Sequence, residues 1–296
     1  MKYVFNVLLA LIVVYIVWKC VLPNNHVAPD VTAQQSEDFS GARILKTCKN
    51  YFSRPISVVF DSDNDLLLVS NSANNIGGED SLGYICRTSM YGEVIDTLRT
   101  GLMKSPKGVA IKDSILYIAD ADRVVLYNLY KDTVCNIIKV DGAMYLYDIE
   151  KDKSGNIFVS DSHARKIFKL TSDSAMVFAA DSLLENVAGL CFDGDVMYAG
   201  AKGKILKVGN NGRVSTYVNV RYSVCGIKSD NNGGFVTSDF NGNVIAVSGK
   251  KSEVLVGKRN GINAADFEYV QSQRMLLLPT FADNSLEIYE IGRYLE

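Results

Sequence analysis

Apolar and polar positions follow two different patterns along this chain. Tyr3 to Trp18 form one nearly unbroken apolar run, interrupted by Asn6 and flanked by Lys2 and Lys19. Counted through Leu22, it approaches the roughly 20 residues that a membrane-spanning helix needs. A secretory signal has a shorter apolar core, about 7–15 residues, and a small-residue cleavage site. This run instead ends in Trp18-Lys19. Cys20 offers a third reading, a lipidated cysteine, although Lys19 stands where a small residue normally precedes it. An uncleaved anchor, a cleaved signal and a lipidated cysteine all export the rest of the chain. Residues 1–22 are therefore read as a transmembrane or signal helix. Residues 23–42 have few large apolar side chains and read as a flexible tether, leaving 43–296 as one domain.

Beyond the tether the pattern breaks into short apolar runs. One type recurs as LLLVSN, ILYIAD, NIFVSD, DVMYAG, GFVTSD and LLLPT, ending at Asn71, Asp120, Asp161, Gly200, Asp239 and Thr280. Successive ends lie 49, 41, 39, 39 and 41 residues apart. A period near 40 built from short strands is that of a propeller blade with four antiparallel strands. Each copy has a strand-like run before it, such as GVAIKD or YDIEKD, and another after a tight turn, such as VVLYNL or KIFKLT. Most also have a closing run, such as TVCNIIKV or AMVFAA. Alternation of apolar and polar residues predicts half-buried strands. Asn211-Gly212, Gly233-Gly234 and Asn241-Gly242 supply turns. The fold expected is all-β, a six-bladed propeller behind an N-terminal transmembrane or signal helix. Ser72–Leu82 lengthens the first repeat and reads as a rim loop.

The sixth repeat lacks a closing run, since only Gly292 to Glu296 follow LEIYEI. RILKTC, starting at Arg43, precedes the first repeat without a partner there. An unpaired sheet edge invites aggregation, so residues 43–49 are predicted to be the outer strand of the last blade.

GVAIKDSILYIADADRVVLYNL and IFVSDSHARKIFKL resemble NHL-type blades. They also resemble the gluconolactonase-like family that includes senescence marker protein and the paraoxonases. ADFEYVQSQRMLLLPTFADNSLEIYEI is similar to the last blade of exported bacterial proteins of that type. The resemblance covers residues 43–291 and implies a metal-dependent hydrolase of lactones or esters. It implies calcium at the channel mouth, held by Glu, Asn and Asp where the inner strands begin. The matching positions here are Ile56, Lys107, Tyr147, Ala188, Cys225 and Ala265, none of them a carboxylate. The family's Glu-x-Pro is replaced by Arg54-Pro55-Ile56. The next position in each repeat supplies two carboxylates, Asp148 and Asp266. No metal and no cofactor is therefore expected. Two readings of these aspartates stay open, bonding to backbone amides at strand starts or lining a ligand site.

Composition narrows the partners. Lys plus Arg is 31 against 33 for Asp plus Glu, without the basic surplus of a nucleic-acid binder. The chain has two histidines, and no Gly-x-Ser-x-Gly elbow or Cys-x-x-Cys pair accompanies them. The five cysteines after Cys20 are scattered and read mostly as small buried hydrophobes. The leading expectation is a binding module for a small-molecule or protein ligand, in the cell envelope. It would be anchored through residues 3–22 with the propeller on the periplasmic or extracellular side, or secreted if the signal is cleaved. Its ligand would touch Arg54, Lys107, Tyr147, Asp148 and Asp266. The alternative is the lactonase- or esterase-like hydrolase of the resemblance, so enzymatic activity stays open.

Overall fold

The computed structural model describes residues 41–49, 51–73, 83–98, 103–231, 233–257 and 263–292. The N-terminal apolar run and nearly all of the tether lie outside them, as does most of the Ser72–Leu82 loop. Among the described residues, no helix is long and apolar enough to cross a membrane.

Six antiparallel sheets follow one another along the chain, five with four strands and one with three. Their first strands are Pro55–Asp61, Pro106–Lys112, Leu146–Lys151, Leu190–Asp193, Ile227–Ser229 and Glu268–Val270. These strands meet around a central channel. The outer strands, such as Val94–Leu98 and Lys251–Val256, face solvent along most of their length. The arrangement is a six-bladed β-propeller. Ala42–Cys48 pairs antiparallel with Ser285–Ile291, placing Ala42 opposite Ile291 and Cys48 opposite Leu286. The last blade thus draws strands from both ends of the domain, and its edge is covered.

The hydrophobic core is divided. Six separate clusters of buried apolar side chains lie at the six blade boundaries. Leu67 and Val69 pack against the last blade, while Leu68 between them packs against the second. Both faces of a middle strand therefore meet a neighbouring blade. For this reason Ile157–Asp161 is buried at every position rather than alternating as a half-exposed strand would. Alternation belongs to outer strands such as Val214–Ser223.

In the fourth blade strand pairing runs unbroken through Val196–Val208, which takes in most of DVMYAG and KILKVG. Its first part pairs with Leu190–Asp193 and its last part with Val214–Ser223. The two parts double back beside each other, since Asp195 and Met197 line the same cavity as Val208 and Asn210. At the bend Lys202 stands opposite Ser223, and the Val224 amide donates to Ala201 O.

Candidate functional site

The starting ends of the inner strands place Asp148 and Asp266 in the channel, on opposite blades. Both are almost completely buried. Asp148 accepts main-chain N–H bonds from Ile149 and Leu190, each 2.7 Å long. Asp266 accepts from the Ser57 hydroxyl at 2.6 Å through Oδ2, while its buried Oδ1 has no hydrogen-bond partner among the described residues. Each carboxylate thus links its blade to the next one. Glycines in the preceding blades make the room. A Cβ on Gly108 would lie 2.6 Å from Asp148 Oδ1, and one on Gly226 would lie 2.9 Å from Asp266 Oδ1. Burial drives the Asp148 carboxyl well above the ordinary carboxylate range, and the facing Asp266 adds to the shift.

Above them lies a face of aromatic rings and cations, carried by loops that enter the inner strands and by hairpins beside them. Lys107 is 4% exposed. Its ammonium sits 4.1 Å from the centre of the Tyr145 ring, and its nearest polar contact is Ser105 O at 3.5 Å. Burial lowers its pKa to about 8, against the pull of Asp120 and Asp161. Those two carboxylates are already committed. Asp161 accepts four main-chain N–H bonds, from Met144, Tyr145, His163 and Ala164. Asp120 accepts from Lys104 and Ser105 N–H and pairs with Arg123 at 3.0 Å. The other side of Tyr145 stacks with the exposed His163 ring, centroids 4.6 Å apart. Tyr147 lies 6.5 Å from Tyr145, and burial raises its phenol well above the usual value. Burial lifts the nearby Cys225 thiol to about 11, which leaves it a poor nucleophile at neutral pH. On the far side Arg54 takes a left-handed backbone with φ 52°. Its guanidinium lies 4.4 Å from the centre of the Phe281 ring, beside Phe240.

Of the five residues expected to touch a ligand, the structure places Arg54, Lys107 and Tyr147 on this face. It places Asp148 and Asp266 beneath them, tied into the blades. Tyr145 and His163 complete the stack around Lys107. His163 is displayed by the hairpin that Asp161 organises.

Two residues further along the inner strands, a second layer carries charge. Lys228 Nζ lies 3.6 Å from Glu150 Oε2. Burial opposes the Lys228 ammonium, yet Glu268 and Glu150 hold its pKa well above the lysine norm. Burial raises the Glu268 carboxyl against the pull of Lys228. These side chains line a cavity of about 420 Å³ at the end of the channel where the inner strands finish. They went unread in the sequence, although strand alternation placed them. A residue facing the channel at position i has i+2 facing it as well, which leads from Asp148 to Glu150 and from Asp266 to Glu268.

A calcium site of the gluconolactonase-like kind does not fit these residues. Both Asp148 oxygens are taken by amides, which leaves Asp266 Oδ1 as the one open buried oxygen of the pair. Hard cations need several converging oxygens. Among the described residues, no three of His, Cys, Asp and Glu gather as metal ligands.

No family model matches the chain, and no curated protein matches it. Solved structures do. Catalytically inactive virginiamycin B lyase from Staphylococcus aureus with quinupristin superposes with a TM-score of 0.59 at 10% identity, over 84% of this chain and 99% of that one. A streptogramin B lyase gives 0.60 at 8% identity, over 87% and 100%. At such identity the likeness establishes the propeller fold and nothing finer.

Proposed function

We propose that the protein is a propeller that binds a small molecule bearing an anionic group, on the face where the inner strands begin. The carrying observation is Lys107. A buried ammonium that no described residue pairs as an ion costs stability, and this one is aimed at an aromatic platform, Tyr145 and His163. A carboxylate or phosphate would complete it, while the ring or chain of the ligand extends past this stack towards Arg54 and Phe281. Tyr147 closes the floor. Asp148 and Asp266 support that floor from beneath. The virginiamycin B lyase structure with quinupristin is in keeping with a small molecule seated on this fold.

The binding face belongs outside a membrane. Residues 3–22 serve as anchor or signal, which puts the binding face on the periplasmic or extracellular side, or in the medium if the signal is cleaved.

Equilibrium binding of aromatic carboxylates and phosphates to wild type and Lys107→Met tests the reading. Loss of about tenfold or more in affinity is expected, the range for one charge-assisted bond. Equal binding by Lys107→Met would remove it. The hydrolase alternative gains support if lactones or esters are turned over and chelation stops the reaction.

A further inference from the structure

The edge where the ring closes presents five large apolar side chains to water. Ile44 and Leu45 lie on the closing strand Ala42–Cys48, Tyr51 follows it, and Tyr91 and Ile95 belong to the outer hairpin of the first blade. Each is between 44% and 63% exposed. Contacts between the first and last blades bring them to one rim. The Cys48 thiol donates to Tyr91 O at 3.4 Å, and a Cβ on Gly92 would lie 2.4 Å from Cys48 Sγ. Lys46 Nζ stands 3.8 Å from Glu93 Oε1. Tyr51 O accepts from the Tyr84 hydroxyl at 3.0 Å, on the strand that pairs with Val94–Leu98. A bulge shifts the register between Ile44 and Lys46, so Leu45 is exposed along with Ile44.

We propose that this edge rests on the headgroup region of a phospholipid bilayer, so that the propeller stands edge-on to the membrane. The inference rests on the membrane reading given above and adds which side of the ring meets the lipid. Exposed apolar patches mark protein or membrane contacts, and the course of the chain selects the membrane. The apolar run ends at Leu22, and the described domain begins at Gly41, one residue before the closing strand. As a coil, residues 23–40 would span about 25 Å, which keeps this edge close to the lipid. The chemistry agrees. Tyrosines favour the membrane–water interface, where an apolar ring and a polar tip are both accommodated. Charges on the patch pair off, Arg43 with Glu290, Lys46 with Glu93 and Lys49 with Asp283. Apolar burial, and not headgroup charge, therefore drives the contact. At headgroup depth, water and polar groups still serve the free edge of the closing strand. Edge-on contact leaves the Lys107 face open to solvent.

Bromolipid quenching of tryptophan fluorescence, with the full chain in phosphatidylcholine nanodiscs, tests the contact. Trp18 is the single tryptophan of the chain, so its quenching in wild type reports the anchor. In a Trp18→Phe background, Tyr91→Trp should be quenched. Met176→Trp, on the outer strand of the third blade opposite the last, should not be. Adding Leu45→Glu and Ile95→Glu, both at exposed positions, should abolish the quenching of Tyr91→Trp. Salt should leave it unchanged. An unquenched Trp18 would remove the membrane reading and this inference with it. A quenched Trp18 beside a Tyr91→Trp quenched no more than Met176→Trp would overturn this inference alone. Dimers of the full chain in detergent, seen by light scattering beside that result, would assign the edge to a second copy instead.

Discussion

Asp148 and Glu150 sit two residues apart on one strand, and Asp266 and Glu268 sit two residues apart where the facing strand begins. Yet the two layers do different work. The aspartates spend their oxygens on other blades, on the Leu190 amide and the Ser57 hydroxyl. The glutamates share the single ammonium of Lys228 beside an open cavity. A short side chain at a strand start reaches the backbone of its neighbour. A longer one deeper in the channel reaches other side chains and the solvent-filled mouth. Length and depth, more than residue charge, separate a carboxylate that knits blade to blade through backbone from one that answers another side chain's charge.

The most damaging test of this contrast is Asp148→Ala. It strands two buried amides, so unfolding free energy should fall by about 3–4 kcal/mol in a denaturant titration. Asp148→Asn should cost less, because it retains one acceptor. A loss no larger than that of Glu268→Gln would erase the distinction between layers. Because burial holds the Asp148 proton in the folded state, its contribution to stability is fullest at acid pH. That contribution should decline as pH rises above the ordinary carboxylate range towards the raised folded value.

Lys107 gives the next largest effect, with the sign of a buried base. Its folded pKa of about 8 lies below the ordinary 10.5, so the unfolded chain binds more protons between those values. Stability should therefore rise with pH across that window, by up to about 3 kcal/mol from this group. Comparison with Lys107→Met cancels the other titrations. The variant should lack this rise and be at least as stable as wild type at pH 7. A destabilised Lys107→Met would mean that the ammonium supports the fold instead of awaiting a ligand.

Gly108→Ala should cost about 2 kcal/mol, the scale of overpacking, since its Cβ would meet Asp148 Cα at 2.5 Å. Glu268→Gln should change stability least, by under about 1 kcal/mol, because it removes a carboxyl that burial already disfavours. Matching melting curves for Glu268→Gln and wild type would sharpen the contrast between layers.

Much of the blade order was legible. The six recurring runs from LLLVSN to LLLPT each became the second strand of a blade, because a strand that packs on both faces must be short, apolar and bounded by turns. Asp161 was legible as the end of a recurring run, and its carboxylate accepts from His163 and Ala164 in the turn that follows. That it also clasps the incoming loop at Met144 and Tyr145 was not, since those partners lie 16 or more residues away. The alternation expected of the middle strands gave way to burial on both faces. A single sequence cannot say that a neighbouring blade covers the second face. The turn between DVMYAG and KILKVG also joins the sheet, through Lys202 opposite Ser223, a long-range partner that local propensity does not register.

Spacing alone determined the propeller architecture and the inner-strand positions of Asp148 and Asp266, because a β-strand repeats every two residues and a blade about every 40. The stacking of Tyr145 between Lys107 and His163, the junction-by-junction division of the core and the acid-lined cavity were decided only in three dimensions. Each arises where separate blades meet, and the distances between blades are set by how the whole ring packs.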